Sequence, residues 1–479
     1  MIKNKFKAHP IMMARLIKPY LFIIIIPLIR ALVQYAIKHE VDYLLPIEIV
    51  LFALVAVMTV FRWLSIRIKV ENQRIIIKKG FFIKSRSVID VSRVSSITVS
   101  QNILDFVCGS VSCSINTEAG RVRKSDFDIK LSLSDAKMLY DAVYGDEKMK
   151  TLEFSAFRIA LLAATTSTAA TGIVVGVPIL NRTSDLIGIA ISDMLLNEIN
   201  NVSSKFDSIF PPVVNTITIA LFLAYCASFL ISFIKNINFK LKSGKNSIEV
   251  QSGLLTRKKV FFRKNNVNNV CIEQTPLMRM LKKHSMRVSI GGYRDVKGAK
   301  AVIVPIASRT ELENQLKKHF QSFRKIKCCI CPQQTVLNRN RMLLLPLSIG
   351  FAIIAAATTA IIIFPYFDRL VLFLGIITMV VNLYFASVYY RNYKKGQICF
   401  GERVFVSGSK RLLVRELYCD KNKVGIIRLF QTPADRRFNT CKIKVVVRSE
   451  TADSVKVINV STDLAVEQIN STYNLNLHV

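Results

Sequence analysis

The densest group of side chains able to do chemistry in this chain is basic. Arg257, Lys258, Lys259, Arg263 and Lys264 fall within eight residues, and Lys282, Lys283 and Arg287 follow. Guanidinium and ammonium groups at this density hold phosphate or carboxylate anions and neither attack nor abstract protons at neutral pH. Groups that could do more stand in incomplete sets. Ser243-Gly244-Lys245 and Gly408-Ser409-Lys410 are fragments of a phosphate-binding loop, lacking the second glycine and the hydroxyl after the lysine. His9, His39, His284, His319 and His478 lie far apart, none with a second ligand at helical spacing. Cys328, Cys329 and Cys331 are a thiol cluster without the partner pair a zinc site needs, so they read as reduced or acylated cysteines at a membrane edge. Catalytic residues, a metal and a cofactor are therefore not expected, and the chain reads as a non-enzyme.

The elements that must position the basic groups begin with the membrane. The chain has 479 residues, 51% of them hydrophobic, ten scattered cysteines and a formal net charge of +35. Apolar runs long enough to cross about 30 Å of hydrocarbon stand at Tyr20–Ile37, Tyr43–Trp63, Phe157–Leu180, Val213–Ile234, Met342–Phe364 and Leu370–Tyr390. They predict six helices in three hairpins, the first run staying in place as an anchor. The N-terminal tail and residues 64–153, 235–341 and 391–479 hold 60 of the 67 Lys and Arg residues, which predicts that both termini and all three large segments are cytoplasmic. Arg30 and Glu48, at similar depth on consecutive helices, are expected to form an intramembrane ion pair holding the first hairpin together. The long connection 181–212 contains an apolar stretch, Leu186–Ile199, expected as an interfacial helix packed over the hairpin tips or docking a partner.

Each large segment repeats one plan. Strands alternating apolar and polar residues turn at Gly80, Gly253 and Gly408, then reach a valine followed seven residues later by a glutamine: Val94 and Gln101, Val267 and Gln274, Val424 and Gln431. Gly408 stands two residues further from its valine than the others, which predicts a longer third hairpin. Each segment ends on an amphipathic helix, marked by Ala136, Leu139 and Val143, by Leu312, Leu316 and Phe320, and by Val466, Ile469 and Tyr473.

The Gly-centred hairpin, the V-x6-Q strand and the closing helix resemble the bacterial pleckstrin-homology-like (PH-like) domain of membrane proteins, in its large form with three domains and paired transmembrane helices. Members often carry a basic residue shortly after the glutamine, where this chain has Asp105–Phe106, Arg279 and Asp435–Arg436–Arg437. The resemblance implies transmembrane hairpins plus three cytosolic β-rich PH-like domains, each closed by a C-terminal helix. The expected layout is a tail and hairpin at 1–63, PH-like domains at 64–153, 235–327 and 391–479, and the other two hairpins at 154–234 and 328–390. It also implies a smaller PH-like membrane protein as a candidate partner.

Charge then selects the ligand. The middle segment, 235–341, holds 24 basic and 5 acidic residues, against 15 and 11 in 64–153. Nucleic acid is not expected, because membrane spans tether the domain and no aromatic stacking series accompanies the charge. The adjacent anionic phospholipid leaflet is the expected partner of the eight basic residues, each Lys or Arg near it contributing about 1 kcal/mol. This reads as a non-enzymatic membrane scaffold of the bacterial envelope; the alternative is a transporter or flippase-like protein moving a lipid or small solute through the helix bundle.

Overall fold

A computed structural model describes residues 4–20, 26, 29–30, 45–80, 83–117, 126–145, 147, 149–168, 173, 191–205, 212–291, 293, 300–320, 330–333, 336–410, 413–448 and 453–475. In chain order, β1 (Asn4–Lys7), α1 (Met12–Ile17) and the apolar helix α2 (Leu45–Leu64) precede the first copy. That copy comprises β2 (Arg67–Glu71), β3 (Arg74–Lys79), β4 (Ser85–Asp90), β5 (Val94–Gln101), α3 (Ile103–Val107), β6 (Ser110–Thr117), β7 (Phe127–Ser132) and α4 (Leu133–Tyr144). After β8 (Lys150–Glu153) come α5 (Ala156–Thr166), α6 (Ile191–Ser204) and α7 (Pro212–Asn236). The second copy is β9 (Lys240–Ser243), β10 (Ser247–Ser252), β11 (Arg257–Arg263), β12 (Val267–Gln274), α8 (Pro276–Met280), β13 (His284–Ile290), β14 (Lys300–Ala307) and α9 (Arg309–His319). Long helices α10 (Val336–Ile363) and α11 (Asp368–Lys395) lead to the third: β15 (Gln397–Cys399), β16 (Arg403–Lys410), β17 (Leu413–Asp420), β18 (Val424–Phe430), α12 (Pro433–Arg437), β19 (Thr440–Val447), β20 (Asp453–Ser461) and α13 (Thr462–Tyr473). The order of elements is the same three times.

Among the described residues, Asn215–Asn236, Leu344–Ile363 and Pro365–Lys395 are long and apolar enough to cross a membrane. Of the expected first span, Tyr20–Ile37, most lies outside the described residues. The expected third span differs at its start: α5 stops at Thr166 and Ser167 is extended. In its last turn Thr165 and Thr166 donate back to Leu161 O and Leu162 O at 2.8 and 2.7 Å. Of the expected interfacial helix Leu186–Ile199, α6 covers Ile191–Ile199 and meets α7 where Thr216 Oγ1 donates to Ser203 Oγ at 3.1 Å.

The chain forms two compact units. The first, residues 1–152, 240–266 and 291–294, holds a four-stranded antiparallel sheet, β1-β2-β3-β4, and a seven-stranded one, β7-β6-β5-β11-β10-β9-β8. Its core contains Ile68, Ile75, Ile77, Val94, Ile97, Ile115 and Leu131, with Leu139 and Val143 of α4 among them. The second unit, residues 153–239, 267–290 and 295–479, carries a nine-stranded sheet ordered β14-β13-β12-β17-β16-β20-β19-β18, with β15 beside β16. Ile398, Val406, Leu417, Ile443, Val457 and Val460 form its cluster with Ala465 and Ile469 of α13. Both large sheets thus splice strands of neighbouring copies: β5 of the first pairs with β11 of the second, and β12 of the second with β17 of the third.

The repeated glutamine has a mechanical explanation. Gln101, Gln274 and Gln431 each donate from Nε2 to the carbonyl nine residues on, to Ser110, Lys283 and Thr440 at 3.3, 3.0 and 3.3 Å. Each bond spans the short helix after its strand and fixes where the next strand begins. Gln431 also donates to Thr462 Oγ1 at 2.8 Å. Replacing any of the three by alanine should lower stability by about 1 kcal/mol, with Gln431→Ala the largest because two bonds go. Denaturant midpoints that stay unchanged in all three variants would count against the clasp.

Gly80 and Gly253 take φ of +98° and +102° in their hairpins, a region side chains resist. Gly408 corrects the sequence reading. It lies inside β16, paired with Arg415, and the pairing of β16 with β17 runs on to Lys410 opposite Leu413. A Cβ at Gly408 would sit 2.3 Å from Lys456 O, so this glycine permits β20 to approach and makes no turn.

Candidate functional site

Strand β11, which carries four of the eight basic candidates with Lys264 just after its end, is an interior strand. Residues 257–262 pair with β5, Arg257 opposite Gln101 and Phe262 opposite Ser96, while β10 pairs on the other side. Alternation sets Arg257, Lys259, Phe261 and Arg263 on one face and Lys258, Val260 and Phe262 on the other. Val260, Phe261 and Phe262 are buried. The first face is covered in part by α4, whose Tyr140 ring lies 4.0 Å from that of Phe261. Arg263 stacks 5.8 Å from the Tyr144 ring and donates to Val143 O at 3.2 Å, and Lys264 Nζ donates to Gly244 O at 2.8 Å. Burial depresses the Lys264 ammonium, only partly offset by Glu147. These two cations are bound up inside the unit. Arg257 is exposed over the Phe106 ring at 5.5 Å, Lys258 lies 5.3 Å from the Tyr293 ring, and Lys259 is half-buried.

The other three candidates belong to the second unit. Lys282 is exposed in the turn after α8, and the carbonyl of Lys283 accepts the Gln274 clasp. Arg287, on β13, approaches Glu273 with Nε 3.6 Å from Oε2. The eight residues therefore divide five and three between the two units. Of the expected membrane pair, the Glu48 side chain lies outside the described residues, so the pairing with Arg30 does too.

Arg287 leads to a group that sequence reasoning missed. Lys300 Nζ sits 2.8 Å from Glu273 Oε1 and 2.7 Å from Asp453 Oδ2. Arg415 reaches the same two carboxylates, Nη2 to Glu273 Oε1 and Nη1 to Asp453 Oδ1, both at 2.9 Å. The four charges alternate in a closed ring, with Arg287 and Lys410 at its rim, Lys410 Nζ being 4.0 Å from Asp453. Strand pairing assembles it: Glu273 on β12 stands opposite Arg415 on β17, and Lys300 and Asp453 open β14 and β20. Glu273 and Asp453 are 4% and 1% exposed, so each would be costly alone and is held by two close cations. Burial would raise the Glu273 carboxyl, but Arg287, Lys300 and Arg415 outweigh it and bring it down to about 2. Burial opposes the Lys300 charge, yet Cys271, Glu273 and Asp453 hold its pKa above the usual lysine value. With every ring member paired, this is a clamp between strands of two copies. Its members are up to 180 residues apart, and only the scarcity of acids in the middle segment marks Glu273 in the sequence.

A further contact ties the second unit's sheet to an apolar helix. Arg279 on α8 donates from Nη1 to Ser387 Oγ at 2.9 Å and from Nη2 to Ser387 O at 3.0 Å, both on α11. Cys331 is exposed and free, while Cys328 and Cys329 lie outside the described residues. Among the described residues no group of His, Cys, Asp and Glu could hold a metal ion.

The sequence profile described as Bacterial PH domain matches residues 19–146 and 194–320, together more than half of the chain. No curated protein matches the chain, and no solved structure does.

Proposed function

Since the chain belongs to the bacterial PH domain family, we propose that it is a non-enzymatic integral membrane scaffold of the bacterial envelope, whose PH-like domains contact anionic lipid headgroups or a partner protein. The domains are those at 64–153, 235–327 and 391–479, each closed by its C-terminal helix. Six spans in three hairpins place them and both termini in the cytoplasm. One observation carries the reading: every copy begins within three residues of a long apolar helix. Two residues separate α2 from β2, three separate α7 from β9, and Gly396 alone separates α11 from β15. At about 3.3 Å per residue such links reach no more than about 10 Å. Domains so tethered stay at the membrane surface, where an anionic leaflet meets Arg257, Lys258, Lys259, Lys282 and Lys283. The excess of basic residues over acidic ones in 235–341 supports the same partner.

Native Cys108 and Cys331, both exposed, serve as probes of sidedness. A membrane-impermeant thiol reagent should leave them unlabelled in intact cells and label Asp193→Cys; labelling of the native chain from outside would overturn the topology. For the headgroup contact, full-length protein in anionic nanodiscs should show slower amide exchange around 257–259 and 282–283 than in neutral ones. Added salt should remove the difference, because the attraction is screened within about 10 Å at 0.1 M. Equal protection in both lipids would leave the basic residues to topology alone.

A further inference from the structure

Helix α3 is built with its charge inward and its apolar residues outward. Asp105 is 2% exposed, held by the Lys130 ammonium and by Ser110 Oγ at 2.9 Å. Leu104 and Val107 are 75% and 78% exposed, and Ile103 and Phe106 are exposed beside them. Because Arg257 stands opposite Gln101, the loop before β11 emerges at the same end of the sheet, and it presents exposed Leu254 and Leu255. Arg257 lies over Phe106, and Lys258 follows it in the chain. An apolar tip with cations behind it is the arrangement of a surface that meets lipid, apolar groups deepest and cations at the phosphates.

One set of contacts puts this tip near membrane level, and a second does so for its counterpart in the second copy. Lys130, which holds Asp105, accepts from His9 N at 2.8 Å through its carbonyl, and Trp63 at the end of apolar helix α2 donates to Ala8 O and His9 O at 2.9 and 3.2 Å. In the second copy, α8 occupies the same place in the repeat. It exposes Met280 and Leu281, followed by Lys282 and Lys283, and its Arg279 is bonded to Ser387 on α11. The third copy shows that the fold does not require the apolar face. There α12 keeps the buried acid, Asp435, but its exposed residues include Arg436 and Arg437.

We infer that α3 and the Leu254–Leu255 loop insert into the lipid interface, to a depth of about 5–10 Å, with Arg257 and Lys258 at headgroup phosphates. The inference rests on the membrane apposition proposed above and adds a hydrophobic anchor to it. Trp63 is the single native tryptophan, so indoles can be added against a known background. Leu104→Trp and Val107→Trp should be made in the full chain, with Ser92→Trp, at the opposite end of β5, as the control. In proteoliposomes with brominated acyl chains, after subtraction of the native signal, the first two should be quenched several-fold more than the third. That quenching should persist in neutral lipid, at high salt and on dilution of protein in lipid. Quenching no stronger than for Ser92→Trp would overturn the inference. So would protection from aqueous quenchers that disappears as protein is diluted, which would assign the face to a second copy. Neither failure would touch the headgroup contact, which is read from the difference between anionic and neutral nanodiscs.

Discussion

Glu273→Gln should destabilise the unit that carries it by about 3–5 kcal/mol, the usual consequence of leaving a buried charge without its partner. The amide keeps the volume of the side chain and removes the anion that Lys300 and Arg415 both contact at 2.8–2.9 Å. Two cations would then share Asp453 alone. If the ring acts as a unit, adding Arg415→Met should restore part of the loss, since the surplus charge goes with it; strictly additive losses in a double-mutant cycle would show independent sites. The dependence on pH has two limbs. Glu273 drops from an ordinary 4.5 to about 2 in the folded chain, so its contribution is complete above about 4.5 and is lost as pH falls through about 2. His284 is lowered from 6.5 to about 4, first by burial and then by Arg309 and Arg391. A base whose folded pKa is depressed adds stability above 6.5 and loses it as pH falls towards 4. Denaturant midpoints in detergent should therefore decline below about 6.5 and again below about 4.5, and Glu273→Gln should erase only the lower limb.

The sequence was most informative where one short segment carries its own signal. The V-x6-Q pattern marks a strand whose glutamine bonds nine residues ahead, and that local geometry recurs at Gln101, Gln274 and Gln431. The apolar runs at 213–234, 342–364 and 370–390 are similarly self-contained. Pairing between copies is a different kind of property, because it depends on which strand edge meets which, and alternation along one strand does not encode its neighbour. Val260, Phe261 and Phe262 in succession were the available hint, since three consecutive apolar residues suit a strand covered on both faces. Gly408 is a related case: a glycine required for close approach of β20 looks, in sequence, like one required for a turn. The ring of Glu273, Lys300, Arg415 and Asp453 was out of reach because its geometry exists only after β12 and β17 have paired.

That pairing yields the most severe expected loss. Residues 235–327, expressed without the rest of the chain, should fail to persist as a soluble monomer. Within the first unit β11 shares six register positions with β5, and within the second β12 shares six with β17. Excision bares both edges. At roughly 0.2–1 kcal/mol for each cross-strand pair, the lost contacts amount to several kcal/mol, comparable to the whole stability of a small domain, about 5–15 kcal/mol. Glu273 would also lose Arg415 and Asp453 from its surroundings. Exposed strands of this length template pairing with other chains, so light scattering should find oligomers or aggregate at concentrations where the intact protein in detergent is uniform. Amides of 258–262 and 270–274 should exchange rapidly in whatever monomer remains. A monomeric fragment with slow exchange at both segments would mean that the middle copy closes its own edges, and the spliced sheets would then be dispensable to it.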